Sequence, residues 1–283
     1  MPLLNSVRRI AKTTEDELRD GILGGMSSSQ ETVPVFEGGW CCSAECLLVR
    51  VNAALRRESS RQGTVNLHRH RIPLGLAMLE QGWITAEELR RALEVQRAAG
   101  EGRLGQWLVR SRAASEVTVT RALALQWNCP VLSLDAGAAE PLTALLPRLF
   151  VDAFGALPLR IAAEKILYLG FEERLDPALA LGLERMLGLR VESGIVRESR
   201  FRAAHHRILG AQFPPVELIE AATHSALAKT LTVAIERARP CEARLVRVHD
   251  FFWLRLWHRN PSNQRWDASN LKDLICTLGE TRS

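Results

Sequence analysis

The apolar positions of this chain run at a helical period between residues 73 and 126, and they do so twice. The first pass is Pro73–Gln96, PLGLAMLEQGWITAEELRRALEVQ; the second is Arg103–Gln126, RLGQWLVRSRAASEVTVTRALALQ. Leu74-Gly75 returns thirty residues on as Leu104-Gly105, Met78-Leu79 as Leu108-Val109, Thr85 as Ser115, Ala92-Leu93 as Ala122-Leu123 and Gln96 as Gln126. A period of this length marks one small helical unit used twice. In the first copy Leu74, Met78 and Leu79 form an apolar stripe, and Gly82 suits a helix C-terminus. Thr85-Ala86-Glu87-Glu88 matches a capping box, in which the hydroxyl accepts from a backbone N–H and the glutamate reaches back. Leu89, Ala92, Leu93 and Gln96 then share one helix face at i, i+3, i+4 and i+7. The second copy keeps the Ser115 cap and the face Val119, Ala122, Leu123 and Gln126, but Thr118 replaces the returning glutamate and weakens the cap. Each copy therefore predicts a helical hairpin, and the two together a pseudo-symmetric surface suited to a two-fold symmetric ligand or partner.

The pattern changes on either side. Residues 1–35 carry a Gly/Ser/polar stretch, GGMSSSQETVP, that reads as a linker. A helix starts at Ser43 as N-cap, and the basic segment 56–71 is a connection. After Cys129-Pro130, LTALLPRLF predicts a short helix ended near Pro147. Strands follow at Leu157–Ala162 and Ile166–Phe171, joined by a tight turn at Glu164-Lys165. Asp176-Pro177 caps and opens a helix that Gly188 closes. RVESGIV is the next strand and ESRFRAAHHRIL the next helix, completing a small β-β-α-β-α module. Beyond Pro214-Pro215 the reading is one long helix, VELIEAATHSALAKTLTVAIERA, two strands, ARLVRVHD and FFWLRLWHR, and a short helix at Leu271–Leu278. The expectation is an α+β, mostly helical chain in three parts: a poorly ordered leader with a Cys-containing helical element (1–70), the repeat with its module (71–209), and a small α/β C-terminal unit (210–283).

Composition narrows the class. Hydrophobic residues make up 47% and charged residues 24% of 283, which supports a real core. Lys+Arg exceed Asp+Glu by 37 to 32, a mild +5 that permits a phosphate-bearing partner without requiring one. No apolar run approaches the ~18 residues of a membrane span, and the N-terminus does not read as a secretory signal. Six cysteines are too sparse for a disulfide scaffold, so a reduced, cytoplasmic protein is expected. No Gly-x-x-x-x-Gly-Lys-Ser/Thr loop, HExxH, GxSxG or paired-carboxylate motif stands out, which points away from an enzyme.

The tandem RLGxxLV…L…Q pattern, a short P-V-L stretch and then ALPLRI…LYLGF…DP…LERMLGLRVESGIV resemble the N-terminal domain of type II secretion and type IV pilus assembly ATPases, in the MshE-type subset that binds cyclic di-GMP. The resemblance covers about Arg71 to Leu209. It implies a secretion or pilus component as partner and cyclic di-GMP as ligand, with no other cofactor. It implies a ligand site at Arg103, Leu104, Gly105, Leu108, Val109, Leu123 and Gln126 in the second copy. In the first copy the implied site is Leu74, Gly75, Met78, Leu79, Gly82, Leu89, Leu93 and Gln96. An arginine can pair bidentately with phosphate or guanine, a glutamine can bond a base edge, and a Leu-Gly pair lets backbone approach a ligand. Two positions depart: Pro73 stands where the first motif has its arginine, and Arg112 where the second has its glycine. Losing one charge-assisted pair costs ~1.5–3 kcal/mol, or ten- to hundredfold in affinity. Arg71 is the nearest substitute. The family's ATPase motif is missing, so the resemblance implies a stand-alone sensor or adaptor module.

Three further features carry chemistry. Cys41, Cys42 and Cys46 follow Gly38-Gly39-Trp40. A zinc site would draw Cys42 and Cys46 with His68 and His70, but a vestigial knuckle or buried thiols are the preferred readings. His205-His206 reads as a solvated helix face. In Phe251–Arg259, Phe252, Leu254 and Leu256 alternate with Trp253, Arg255, Trp257 and Arg259. The preferred reading is a strand covered by the preceding helix, with arginine at the rim; a protein hot spot or a single-stranded nucleic-acid platform are the others. The leading function is a non-enzymatic adaptor that binds a partner and cyclic di-GMP. Alternatives are a protein-interaction module that binds no nucleotide and a nucleic-acid-binding protein.

Overall fold

A computed structural model describes residues 34–61, 71–134, 142–259 and 267–279. Ahead of the repeat lie strands β1 (Val35–Phe36) and β2 (Gly39–Trp40) and helix α1 (Ala44–Ser60). The repeat is four helices, α2 (Leu74–Glu80) and α3 (Ala86–Ala99), then α4 (Leu104–Arg110) and α5 (Glu116–Trp127). The module after it comprises β3 (Val131–Leu132), α6 (Arg148–Phe154), β4 (Ala156–Ala162), β5 (Ile166–Phe171), α7 (Pro177–Leu187), β6 (Arg190–Val196) and α8 (Glu198–Leu209). The last elements are β7 (Val216–Ala221), α9 (His224–Ala238), β8 (Glu242–Val248), β9 (Phe251–Trp257) and β10 (Leu271–Leu278). The chain is α+β, as the sequence patterns indicate.

Local chemistry sets the boundaries. The capping box forms: Thr85 Oγ1 accepts from the Glu88 N–H at 3.2 Å, and the Glu88 carboxylate accepts from the Thr85 N–H at 2.7 Å. Ser115 accepts from the Thr118 N–H at 3.1 Å, and the two hydroxyls meet at 2.8 Å in place of the glutamate's return bond. Asp176 caps α7 with Pro177 in its first turn, and Gly188 ends it in the left-handed conformation.

Three predicted element assignments change. Residues 216–238 are a strand and a helix, not one helix. Thr223 caps α9, accepting from the Ala226 N–H at 3.1 Å, and Val216–Ala221 pair in parallel along six residues of β10. Leu271–Leu278 is a strand, flanked by β9 antiparallel and β7 parallel. A short apolar run buried on both faces does not distinguish helix from strand by periodicity, and here two neighbours' ladders decide. Pro147 opens α6 instead of ending a helix, because the residue before a proline avoids helical geometry while the proline itself suits a helix start.

The four-stranded sheet has the order β3-β6-β5-β4 and the six-stranded sheet β2-β1-β8-β9-β10-β7. The six-stranded sheet draws on both ends of the chain: Phe36 pairs with Ala243, and Leu47, Val51, Ala54 and Leu55 of α1 share a core with Leu227, Leu231 and Ile235 of α9. Residues 34–61, 216–259 and 267–279 thus share one structural layer. The leader residues 1–33 lie outside the described residues. The sheet's other face, with Val246, Val248, Trp253, Trp257, Leu271 and Ile275, belongs to the core of the repeat and its module. Gly182 of α7 makes this contact close, since a Cβ there would lie 2.6 Å from Val248 Cγ2. The buried Glu58 carboxylate of α1 accepts from Arg185 of α7 and from the Arg247 N–H of β8. Burial pushes its pKa up, but Arg185 and the Arg247 amide outweigh burial and hold it below the ordinary value.

Arg255 does not sit at a rim. Its side chain is fully buried, with Nε and Nη2 donating to the two Asp273 oxygens at 2.7 and 2.8 Å and Nη1 donating to the Ala144 and Leu145 carbonyls at 2.6 and 3.2 Å. The face carrying Trp253, Arg255 and Trp257 is covered by the 144–150 segment, with Phe150 edge-on to Trp253, while α9 covers the opposite face. Among the described residues no helix is long and apolar enough to cross a membrane.

Candidate functional site

The two hairpins of the repeat interlock about a pseudo-two-fold axis. Helix α2 packs on α5 and α4 on α3, so each hairpin exchanges partners with the other. A Cβ on Gly75 would lie 2.6 Å from Leu89 of its own hairpin and 3.3 Å from Leu104 of the other. A Cβ on Gly105 would lie 2.7 Å from Val119 and 3.6 Å from Leu74, the symmetry-related atoms thirty residues away. The glutamines obey the same symmetry. Gln96 donates to the Gly102 carbonyl at 2.8 Å, at the start of the second hairpin; Gln126 donates to the Ile72 carbonyl at 2.7 Å, at the start of the first.

These contacts explain what most of the motif does. Gly75 and Gly105 are buried, and their missing side chains let the helices cross closely. Met78, Leu89, Leu108 and Leu123 are buried in the core, and Leu74, Leu79, Leu93, Leu104 and Val109 pack against it. Gly82 has φ 67°, and its counterpart Arg112 has φ 59°, so both hairpins need a left-handed residue after the first helix. Arginine takes that conformation at a cost of roughly 1 kcal/mol relative to glycine.

The charged positions break the symmetry. Arg103 is half-exposed and reaches Glu172 at 3.1 Å and Glu173 at 3.0 Å, at the end of β5. Gln106 donates to Glu198 at 2.8 Å, and the Glu116 carboxylate accepts from the Ser199 hydroxyl at 2.9 Å and from its N–H. Arg202 closes the network on Glu172 at 3.0 Å and Glu198 at 2.6 Å, and both carboxylates raise its pKa. The second hairpin is thus docked on the start of α8 through Gln106 and Glu116 and on the residues after β5 through Arg103. The symmetry-related positions in the first hairpin are Pro73, Leu76 and Ala86, all exposed, with Ile72 and Leu76 each 54% accessible. Arg71 does not extend to replace the missing arginine. Its guanidinium stacks on Trp127, and burial, with Arg174 nearby, pushes its pKa down. Glu172, Glu173, Glu198 and Ser199 escaped the sequence reading because only the fold brings them to the repeat.

The remaining candidates separate. Cys41 is buried, Cys42 exposed and Cys46 intermediate, with Ser43 capping α1 between them. No group of three or more His, Cys, Asp or Glu gathers for a metal among the described residues, and His68 and His70 lie outside them. His205 is not solvated as expected: its Nε2 lies 3.0 Å from the Val151 carbonyl and its ring stacks on Phe201. Trp253, Arg255 and Trp257 are buried, in line with the preferred reading of a covered strand, and offer no platform for nucleic acid.

No protein-family model matches the sequence. The type IV pilus assembly ATPase PilB of Thermus thermophilus is 32% identical over 147 residues, half of this chain. Over that half the chain resembles the N-terminal domain of secretion and pilus assembly ATPases. The match spans 16% of the length of PilB. Among solved structures, that of MshE with cdg is 26% identical and covers 49% of this chain and 99% of its own, at a TM-score of 0.37. The N-terminal domain of XpsE is 21% identical and covers 48% of this chain and 94% of its own, at a TM-score of 0.35.

Proposed function

We propose that the protein is a non-enzymatic adaptor of a secretion or type IV pilus system, and that the first hairpin of its repeat is the docking face for a protein partner. One observation carries this reading: the second hairpin's outer face is occupied by α8 through Gln106 and Glu116 and by the residues after β5 through Arg103, while the equivalent face of the first is the exposed, apolar Ile72, Pro73 and Leu76. A hairpin that binds its own chain by one face is shaped to bind another by the equivalent one. The exposed apolar side chains there favour a partner with a matching apolar surface. The test is co-purification of a pilus or secretion component from the native cells. Capture that is lost with Leu76→Glu and kept with Arg103→Ala supports the reading; capture indifferent to Leu76→Glu refutes it.

A second reading rests on Arg103-Leu104-Gly105, with Arg103 half-exposed beside the pseudo-two-fold surface. Cyclic di-GMP, itself two-fold symmetric, would take its phosphate or guanine contact from Arg103 and displace Glu172 and Glu173. Pro73 leaves the other half of the site without that contact, so affinity below that of a two-arginine site is expected. Titration calorimetry with cyclic di-GMP tests it: heat abolished by Arg103→Ala supports binding, and no heat at roughly tens of micromolar, a Kd scale of about −6 to −7 kcal/mol, removes it.

A further inference from the structure

Among the described residues the six-stranded sheet ends in a strand whose outer edge is open. β7 is terminal in the strand order and pairs only with β10 among the described residues. The Pro215 and Ala221 carbonyls accept from the Asp273 and Gly279 N–H groups at 3.0 and 2.9 Å. Parallel ladders alternate along a strand, so odd-numbered residues face β10. Val216, Leu218 and Glu220 therefore turn their N–H and C=O groups outward. Leu218 is 69% exposed. An uncovered edge of this kind is a template for another strand.

Helix α9 starts three residues after β7 ends and runs back beside it, leaving a groove of about 590 Å³ between helix and strand. Its wall on α9 carries Lys229, Val233 and Arg237, spaced four residues apart and hence in one row. Its floor carries Glu217 and Ile219 of β7 and Lys272 of β10. Glu217 is neutralised by Lys272 at 2.8 Å, whereas Lys229 and Arg237 have no ion pair among the described residues. The groove thus combines unpaired backbone groups, an apolar strip at Ile219 and Val233, and two available cations.

We propose that this groove binds an extended acidic segment of a partner protein, which adds to β7 as a seventh strand. The spacing specifies the segment. Lys229 and Arg237 are about 12 Å apart along the helix axis, at ~1.5 Å per residue. Residues four apart on one face of a strand are separated by ~13 Å. Two acidic side chains four residues apart meet both cations, and a small apolar residue midway meets Val233. Main-chain pairing supplies affinity and the alternate side chains supply selectivity. A second copy of this chain fits less well. Its own β7 would bring to the groove a single acidic side chain, Glu217, already held by Lys272, and would leave Lys229 and Arg237 unmatched.

The test is fluorescence anisotropy of a fluorescein-labelled decapeptide titrated with the full chain. The peptide is threonine throughout except for glutamate at its fourth and eighth positions and valine at its sixth. Saturable binding is expected, weakened roughly tenfold or more by Lys229→Glu with Arg237→Glu, two exposed changes that leave the melting temperature in place. A peptide with lysines for the glutamates should fail on wild type and bind the doubly reversed variant. Leu218→Pro removes one outward N–H at an edge position that tolerates proline, and should abolish binding. Should that variant fail to fold, N-methylation of the peptide backbone interrupts the same ladder on the wild-type protein. No anisotropy change up to millimolar protein, or equal binding of acidic and basic peptides, overturns the proposal. So does a concentration-dependent dimer that Leu218→Pro dissolves while the peptide shows no binding.

Discussion

Removing the Asp273 carboxylate isolates a buried charge, and the consequence can be worked out from its partners. In the native protein both Asp273 oxygens accept from Arg255, and Oδ1 also accepts from Trp253 Nε1 at 2.8 Å. The side chains of Arg255 and Asp273 are 0% exposed. In Asp273→Ala the guanidinium keeps only the Ala144 and Leu145 carbonyls, and the Trp253 N–H loses its acceptor. Breaking a buried pair on one side costs ~3–5 kcal/mol, because the remaining charge has no water to return to. For a chain of this size that is a fall of roughly 6–20 °C in melting temperature. Urea unfolding followed by tryptophan fluorescence measures it. The companion variant Arg255→Met with Asp273→Leu removes both charges and should recover most of the loss, since a buried ion pair is worth little against apolar residues of similar volume. A cost below about 1 kcal/mol for Asp273→Ala, or a double variant as unstable as the single, would refute the reasoning.

Two further stability predictions follow from the packing. Gly105→Ala should cost about 1–2 kcal/mol and Gly75→Ala less, measured by urea unfolding. The new Cβ at 105 meets a Val119 methyl fixed by χ1 branching, whereas at 75 it meets the end of the flexible Leu89, and each alanine also gains helix propensity. His249→Gln should narrow stability over a defined pH window. The hydrogen bond to Asp176 raises the His249 pKa above its ordinary 6.5 despite burial; burial pushes Asp176 up, but His249 and the α7 backbone hold it below 3.8. The histidine's contribution is full below 6.5 and is lost as pH rises through its raised pKa. The aspartate's is present above 3.8 and is lost as pH falls through its lowered one. The gap between wild type and His249→Gln is therefore largest between those values and closes on both sides; a gap constant from acid to alkaline pH would count against the pair.

The helical repeat was legible because its signals are local. Thr85, Glu88 and Ser115 announce helix starts by bonds within four residues, and the β4-β5 hairpin and the Asp176-Pro177 start are equally short-range. The strands β7 and β10 were not legible, because VELIEA and LKDLICTL are ambiguous apolar runs that only their mutual pairing resolves. Arg255 was misplaced for a related reason. An arginine in a covered Trp/Arg face is placed at its rim until Asp273, eighteen residues on in the next strand, and the Ala144 carbonyl, more than a hundred residues back, are known to receive it. In the candidate site the framework was visible and the docking was not. Glu172, Glu198 and Ser199 carry no motif.

That distinction decides which substitution can test a ligand. Gly75, Gly105, Gln96 and Gln126 satisfy the motif, and the same side chains or their absence close the pseudo-two-fold packing. Their presence therefore reports the fold whether or not a nucleotide binds, and loss of binding in Gly105→Ala or Gln126→Ala would not separate a lost contact from a shifted helix. Arg103 is different. It is half-exposed, its two carboxylate partners are surface ion pairs, and pairs of that kind contribute ~0–1 kcal/mol to stability. Arg103→Ala should leave the urea midpoint within that margin. If cyclic di-GMP binding disappears while the midpoint holds, the arginine contacts the ligand; if binding and midpoint are both unchanged, Arg103 makes no ligand contact; if the wild type binds none, the tandem motif in this chain serves packing and the open face at Ile72 and Leu76 is where its specificity resides.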